Sequence, residues 1–299
     1  MSVLIVGSVA LDTIEANGKK IKDSLGGSAM YASMAASYFT KPSVVAVVGN
    51  DFPGKYIHLL NKHGIDTSAI AISSGKTFRW HGKYSCDLNQ AKTLNTKLNV
   101  FANFNPALSN EQKKIKYLFL ANADPDIQKR ILNMTVKPKF VALDTMNFWI
   151  NTKINKLKKI LKKVDLLLIN EDEAVQFSKQ SNIVKAAKVI QSFGPKYVII
   201  KRGNSGSILF YKNKIFSTIS FPLEKVVDTT GAGDTFAGGF IGYLAGVNKT
   251  DFGSLKKAVI YATIMSSFNV ESFSLKKLSS LKNKDINKRL KLFKRIIKF

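Results

Sequence analysis

Asp228-Thr229-Thr230-Gly231-Ala232-Gly233-Asp234-Thr235 runs directly into the small and apolar series Phe236-Ala237-Gly238-Gly239-Phe240-Ile241-Gly242-Tyr243-Leu244. Two glycines just before an expected helix leave the N–H groups of its first turn uncovered, and an acid stands among them. Such a loop can hold an anion and move a proton. A tight turn with an aspartate N-cap is the plainer alternative, and it covers most Gly-Asp pairs met by chance.

Outward from this loop, buried apolar runs stand at 3–9 and 44–49, and short apolar runs ended by a polar residue at 117–122, 140–144, 165–170 and 197–201. Helical stretches separate them, which predicts a largely parallel sheet with helices on both faces, an α/β fold. Ligands of such sheets collect at the carboxyl ends of the strands. The polar residues there are Asp12, Asp144, Asn170, Glu173 and Lys201. Gly26-Gly27 opens a helix of small residues that can pack closely and receive a polar ligand at its N-terminus. Residues 207–211 and 215–218 flank Lys212-Asn213-Lys214 as a hairpin. From 69 to about 104 aromatic and polar residues alternate (Phe78, Trp80, Gly82, Tyr84), the pattern of exposed antiparallel strands in a lid or an oligomer clasp. No repeat or low-complexity linker interrupts the chain. A single domain over residues 1–299 is expected, with lid strands inserted at about 11–25 and 69–104.

The 299 residues are 45% hydrophobic, enough for a large core. No apolar run reaches the roughly 18 residues of a membrane span. The N-terminus lacks the basic and small-residue marks of a signal peptide and reads as a first buried strand. A lone cysteine, Cys86, allows no intrachain disulfide, and a reducing cytoplasm is the expected location. His58 and His63 are five apart, off metal-ligand spacing on one helical face. The formal charge of +26 comes from 46 Lys+Arg against 20 Asp+Glu. The lysines are spread along the chain, densest at 153–163 and 276–298, with no stacking motif, so solvated helix faces are favoured over a nucleic-acid site. Near the C-terminus Ile286, Leu290, Phe293 and Ile297 form one helical stripe, expected to pack on the domain rather than on a membrane.

There is no Gly-x-x-x-x-Gly-Lys-Ser/Thr loop and no Gly-x-Ser-x-Gly elbow with a matching histidine. What remains is an anion cradle carrying an acid, hydroxyl-binding candidates at Asp12 and Gly26-Gly27, and acids and amides at strand ends. Phosphoryl transfer to an alcohol needs this set. Residues 228–240 resemble the C-terminal signature of the PfkB family of carbohydrate and nucleoside kinases, which has the ribokinase-like fold. The order of Gly26-Gly27, Val48-Gly49-Asn50-Asp51-Phe52-Pro53-Gly54 and Asn170-Glu171-Asp172-Glu173 agrees, and the resemblance spans about residues 3–268.

The resemblance implies an ATP- and Mg²⁺-dependent kinase. In it Asp234 is the catalytic base, and the amides of Gly231, Ala232 and Gly233 form the anion hole. Asn170 and Glu173 match the family's Asn-x-x-Glu motif, which orders Mg²⁺ and the phosphates through water. Lys201, Gly203 and Gly206 fall where the family lines the nucleotide site, and Asp12, Gly26 and Gly27 where it binds the sugar. Asp228 and Thr230 sit where many members hold a monovalent cation such as K⁺. Where many members have an asparagine four residues beyond the second glycine, this chain has Tyr31. Residues 77–84 read as a lid face whose aromatics could cover a sugar or base and whose Arg79 and Lys83 could meet a phosphate; a homodimer clasp is the equal alternative. A sugar or sugar-like acceptor is the leading expectation. A nucleoside kinase in which Trp80 or Phe104 stacks on the base is the second, and a polyanion-binding protein on a kinase fold is the third.

Overall fold

A computed structural model describes residues 2–298 except 86, 87, 89 and 90, so Cys86 lies outside the described residues. The strands are β1 (Ser2–Val6), β2 (Ala10–Ala16), β3 (Lys19–Gly26), β4 (Lys41–Gly49), β5 (Asp66–Ser73), β6 (Phe78–Tyr84), β7 (Ala91–Lys97), β8 (Tyr117–Leu120), β9 (Phe140–Asp144), β10 (Leu166–Asn170), β11 (Tyr197–Lys201), β12 (Ser207–Tyr211) and β13 (Lys214–Thr218). Nine of them form one sheet in the order β13-β12-β11-β10-β9-β8-β1-β4-β5. From β11 to β5 every pairing is parallel, and the β12–β13 hairpin adds the antiparallel edge.

The continuous apolar runs have a simple cause, since each central strand is buried on both faces. In β1, Val3 and Ile5 enter one core while Leu4 and Val6 enter the other. The first core is closed by helices Ser28–Ala36, Ala232–Val247, Phe252–Asn269 and Asn283–Ile296. Pro125–Met134, Ile154–Leu161, Glu171–Ser178 and Ile183–Gln191 close the second. Small residues let the helix after the signature press against Ser28–Ala36: a Cβ on Gly238 would stand 2.1 Å from the Ala32 carbonyl oxygen. Any side chain there would force the two helices apart.

In the last helix Ile286, Leu290 and Phe293 are buried, and lysines cover its outer side. Ile297, expected to continue the stripe, lies past the helix end and is 37% exposed. Among the described residues no helix is long and apolar enough to cross a membrane.

A second sheet, β3-β2-β6-β7, makes the lid. Its strands begin at residues 10 and 78, and β5 pairs in parallel with β4 in the main sheet. Residues 69–73 therefore belong to the core sheet and not to the lid. As an edge strand, β5 is wet along one side, which gives it the mixed pattern of a lid strand.

Candidate active site

Gly231 takes a left-handed conformation, φ 72°, at the turn into the helix Ala232–Val247. A Cβ there would lie 2.3 Å from Tyr31 Cγ, so glycine is required on both grounds. The turn is tied from several sides. The Thr235 N–H donates to the Gly231 carbonyl (2.8 Å), the Thr230 N–H to Asp228 Oδ1 (2.9 Å), and Asn269 Nδ2 to the Thr230 carbonyl (2.8 Å). Among the described residues no acceptor takes the N–H of Gly231 or Gly233. Both remain available at the positive end of a 16-residue helix. Ala232, the third amide expected in the cradle, instead donates to the Thr229 carbonyl at 3.1 Å.

Asp234 sits in the first turn of the same helix. Burial, reinforced by the Asp144 charge and opposed by Lys201, pushes its carboxyl up to about 7. A base poised there suits proton transfer near neutral pH. Lys201, at the end of β11, places Nζ 2.7 Å from Asp144 Oδ2 at the end of β9. A Cβ on Gly233 would be 3.2 Å from that ammonium, so Lys201 stands beside the signature loop itself. Burial alone would lower the Lys201 pKa, but the Asp144 and Glu173 carboxylates outweigh it and keep the side chain charged.

Asn170 and Glu173 form a reciprocal capping box at the start of the helix Glu171–Ser178. The Glu173 N–H donates to Asn170 Oδ1 (2.8 Å), and the Asn170 N–H donates to Glu173 Oε2 (3.0 Å). The motif thus fixes its own geometry at the carboxyl end of β10. Burial raises the Glu173 carboxyl to about 7, with Lys201 pulling the other way. Gly203 and Gly206 turn the chain from β11 into β12, both at positive φ. Nucleotide-side candidates therefore occupy adjacent ends of β10 and β11.

On the other side of the loop stands Asp12, in β2 and only 4% exposed. A Cβ on Gly26 would fall 1.8 Å from Asp12 Oδ2, so the first glycine of the pair makes room for this carboxylate. Burial and the neighbouring Asp228 push Asp12 up to about 8, partly offset by the Gly27 N–H. Asp228 Oδ2 and the Tyr31 phenol oxygen are both buried without a hydrogen-bond partner among the described residues.

The lid is fastened to the loop in three places. Asn17 Nδ2 donates to the carbonyls of Val226 (3.2 Å) and Val227 (3.0 Å), Thr230 Oγ1 donates to the Tyr84 hydroxyl (3.0 Å), and Thr229 Oγ1 donates to the Leu88 carbonyl. Ile14, Ala16, Trp80, Tyr84 and Leu88 form a small apolar cluster on this face with Val226 and Phe273.

Arg79 is not brought to this group. Adjacent residues of a strand point to opposite faces, and Trp80, paired with Asp12, takes the site side. The Arg79 guanidinium instead reaches Asp51 Oδ2 (2.9 Å) and Asp23. Phe104 is also elsewhere, stacked on Phe101 in the core. Two contributors gave little sign in the sequence. Tyr84 appeared only as one aromatic of the lid, and Asp144 only as a strand-end acid.

The description "pfkB family carbohydrate kinase" matches residues 2–281. A cytidine kinase of Thermococcus kodakarensis is 28% identical over 257 residues, 82% of this chain and 90% of that protein. A nucleoside kinase of Methanothermobacter thermautotrophicus is 26% identical over 258 residues, 85% and 80% of the two chains. The crystal structure of a Methanocaldococcus jannaschii nucleoside kinase of the ribokinase family superposes with a TM-score of 0.77. It is 21% identical and covers 97% of this chain and 98% of its own. A ribokinase II candidate from E. coli, solved with ATP and Mg²⁺, gives 0.80 at 18% identity over 97% and 99%. These two likenesses carry the fold. The family match over nearly the whole chain, on a sheet that gathers its motifs around one loop, makes this chain a member of the pfkB family, a sugar or nucleoside kinase that phosphorylates a hydroxyl group.

Proposed function

We propose that this chain transfers the γ-phosphoryl group of ATP, with Mg²⁺, to a hydroxyl of an uncharged nucleoside. The observation that carries this reading is the division of charge across the signature loop. Lys201, paired with Asp144, lies on the nucleotide side, Asp12 and Asp228 lie together on the acceptor side, and Arg79 is turned away from them to Asp23 and Asp51. A phosphorylated sugar would meet the acids Asp12 and Asp228 there, while the Arg79 guanidinium is already engaged by Asp23 and Asp51. A neutral polyol would offer its hydroxyls as donors to Asp12. The apolar lid cluster of Trp80, Tyr84 and Leu88 suits the face of a base, and relatives that include a cytidine kinase and a nucleoside kinase favour the same choice. A free sugar is the second reading, since the same carboxylates would serve it.

In this mechanism Asp234 takes the proton of the attacking hydroxyl as its oxygen bonds to phosphorus and the bond to the leaving nucleotide oxygen breaks. The N–H groups of Gly231 and Gly233 stabilise charge on the transferred group. Gly203 and Gly206 line the nucleotide. The donor set fits these ligands: two free amides at a helix N-terminus for phosphate, and Glu173 beside Lys201 for the metal's water shell. Asn170 and Glu173 would hold Mg²⁺ through its water shell, and the metal would offset phosphate charge there. When bound, Mg²⁺–ATP supplies the phosphoryl group and neutralises its developing charge. The unpartnered Asp228 Oδ2 and the neighbouring Thr230 suit a monovalent cation such as K⁺. The chain works as one domain with a lid, in a reducing cytoplasm, and the edge position of β7 in the lid sheet favours lid-to-lid pairing of two copies.

An ATP-consumption screen with mass analysis of products tests the reading. Nucleosides should yield monophosphates, and sugar phosphates should not be turned over. Turnover confined to sugar phosphates would contradict it.

A further inference from the structure

The signature segment hangs on the last turns of the helix Phe252–Asn269. Ser266 Oγ donates to the Ala232 carbonyl (3.0 Å), Asn269 Nδ2 donates to the Thr230 carbonyl (2.8 Å), and the Val270 carbonyl accepts the N–H groups of Val227 (2.7 Å) and Asp228 (3.3 Å). All four bonds reach the backbone of the segment, so they set its path whatever side chains it carries. The same turns are gripped by one side chain from elsewhere. Arg289, on the helix Asn283–Ile296, donates from Nη1 to Ser267 Oγ (3.1 Å) and from Nη2 to Glu271 Oε1 (2.9 Å). Its Cζ stands 3.5 Å from the centre of the Phe268 ring and 5.0 Å from that of Phe221, which lies on the stretch leading into the signature. A planar fork can meet a hydroxyl, a carboxylate and a ring face at once, which a lysine cannot. Positive charge at the C-terminal end of a helix is favourable as well. Glu271 depends on this partner: its Oε2 is buried without a hydrogen bond, and among the described residues Arg289 is the only cation within ion-pair reach. Ser267, Phe268 and Glu271, which Arg289 holds, thus interleave with Ser266, Asn269 and Val270, which hold the loop. The helix that supplies Arg289 lies beyond residues 2–281, where the family description matches.

We propose that Arg289 is a positioning residue for phosphoryl transfer: by clamping Ser267, Phe268 and Glu271 it fixes the turns at 266–270, and through them the free amides of Gly231 and Gly233 and the carboxylate of Asp234. The inference rests on the signature segment being the transfer loop, as proposed above. Arg289 itself touches no reacting atom. Its effect therefore falls on the rate of transfer more than on acceptor binding, since Asp12 stands on β2, outside the clamp. A residue that only fastens the last helix to the core would lower stability and leave the rate alone.

Arg289→Ala and Leu290→Ala, compared in the full chain, separate the two roles. Leu290 is a buried neighbour on the same helix, and truncating it loosens the core without touching the clamp. Both variants should lower the thermal midpoint. Assayed with the preferred acceptor well below both midpoints, Arg289→Ala should lose about 10- to 10²-fold in kcat, the scale of a small misplacement of catalytic groups, with a smaller change in acceptor KM. Leu290→Ala should keep a kcat near that of the unaltered chain. Guanidinium chloride, far below denaturing concentration, should restore part of the lost rate in Arg289→Ala and none in Leu290→Ala. Glu271→Gln removes the ion pair from the other side with little change of shape, and it should lower kcat in the same direction; combined with Arg289→Ala it should add little, because the two residues act as one unit. Should Arg289→Ala fail to fold, Glu271→Gln decides the matter alone. If the unaltered chain is an active kinase and Arg289→Ala, or in its absence Glu271→Gln, keeps full kcat or falls no further than Leu290→Ala, the inference is overturned while the proposed function stands. If the unaltered chain transfers phosphate to no acceptor, both are overturned.

Discussion

Lys201 Nζ is 2.7 Å from Asp144 Oδ2, and the same ammonium borders Gly233 in the signature loop. One ion pair thus joins the ends of β9 and β11 to the turn that carries the free amides. Both side chains are largely buried, with 16% and 5% exposure for Lys201 and Asp144. Lys201→Met would leave Asp144 buried without its counter-charge, a change that costs about 3–5 kcal/mol. Urea unfolding should show that loss, and Lys201→Met combined with Asp144→Asn should be less damaged than the single methionine variant.

Asp234 carries the proton-transfer step. Asp234→Asn is nearly isosteric and should leave the fold and ATP affinity intact, while kcat falls by about 10²–10⁴-fold. Steady-state kinetics beside calorimetric ATP binding separate the two effects.

The same residue sets the pH dependence. With its carboxyl raised to about 7, Asp234 is mostly protonated, and so not a base, at pH 6. The rate should fall with the ionised fraction below pH 7 and level off above about 8. The residual activity of Asp234→Asn should lack that limb.

Stability should run the opposite way. Asp12, Glu173 and Asp234 have folded-state pKa values near 8, 7 and 7, against 3.8, 4.5 and 3.8 for the free groups. Between about pH 4 and pH 8 the folded chain therefore holds more protons than the unfolded one, and stability falls as pH rises. The contribution of these groups is complete below their unfolded pKa and is lost through the folded values. Thermal midpoints should drop from pH 5 to pH 8, and Asp12→Asn, which has no charge to bury, should recover part of the drop at pH 8.

Gly231→Ala tests the cradle. It places a Cβ at a positive φ and into the Tyr31 ring, so both strain and a clash oppose it. Activity should fall by about 10²–10³-fold, the scale of an oxyanion-type contact. Thermal stability should fall as well.

Much of the fold is legible in the sequence. Runs such as 3–6 and 166–169 are apolar at every position because both faces of the strand are covered, and that pattern needs no partner to be read. Asn170 and Glu173 stand three apart, a spacing that local capping imposes. Long-range features were not legible in the same way. Arg79 looked free for a phosphate because Asp51 and Asp23 lie 28 and 56 residues away in sequence. Phe104 looked ready to stack on a base because its aromatic neighbour across the core, Phe78, is known only from the packing through Phe101. The β5 strand resembled the lid because an edge strand is half wet. Tyr31 was visible as a departure from the family pattern, but its place under Gly231 is a property of two helices meeting.

The decisive measurement is product formation from ATP with nucleosides, free sugars and sugar phosphates, by the unaltered chain and by Asp234→Asn in parallel. A nucleoside monophosphate made by the first and reduced at least about 10²-fold in the second is the expected result. Turnover of sugar phosphates alone, or undiminished transfer by Asp234→Asn, would contradict it.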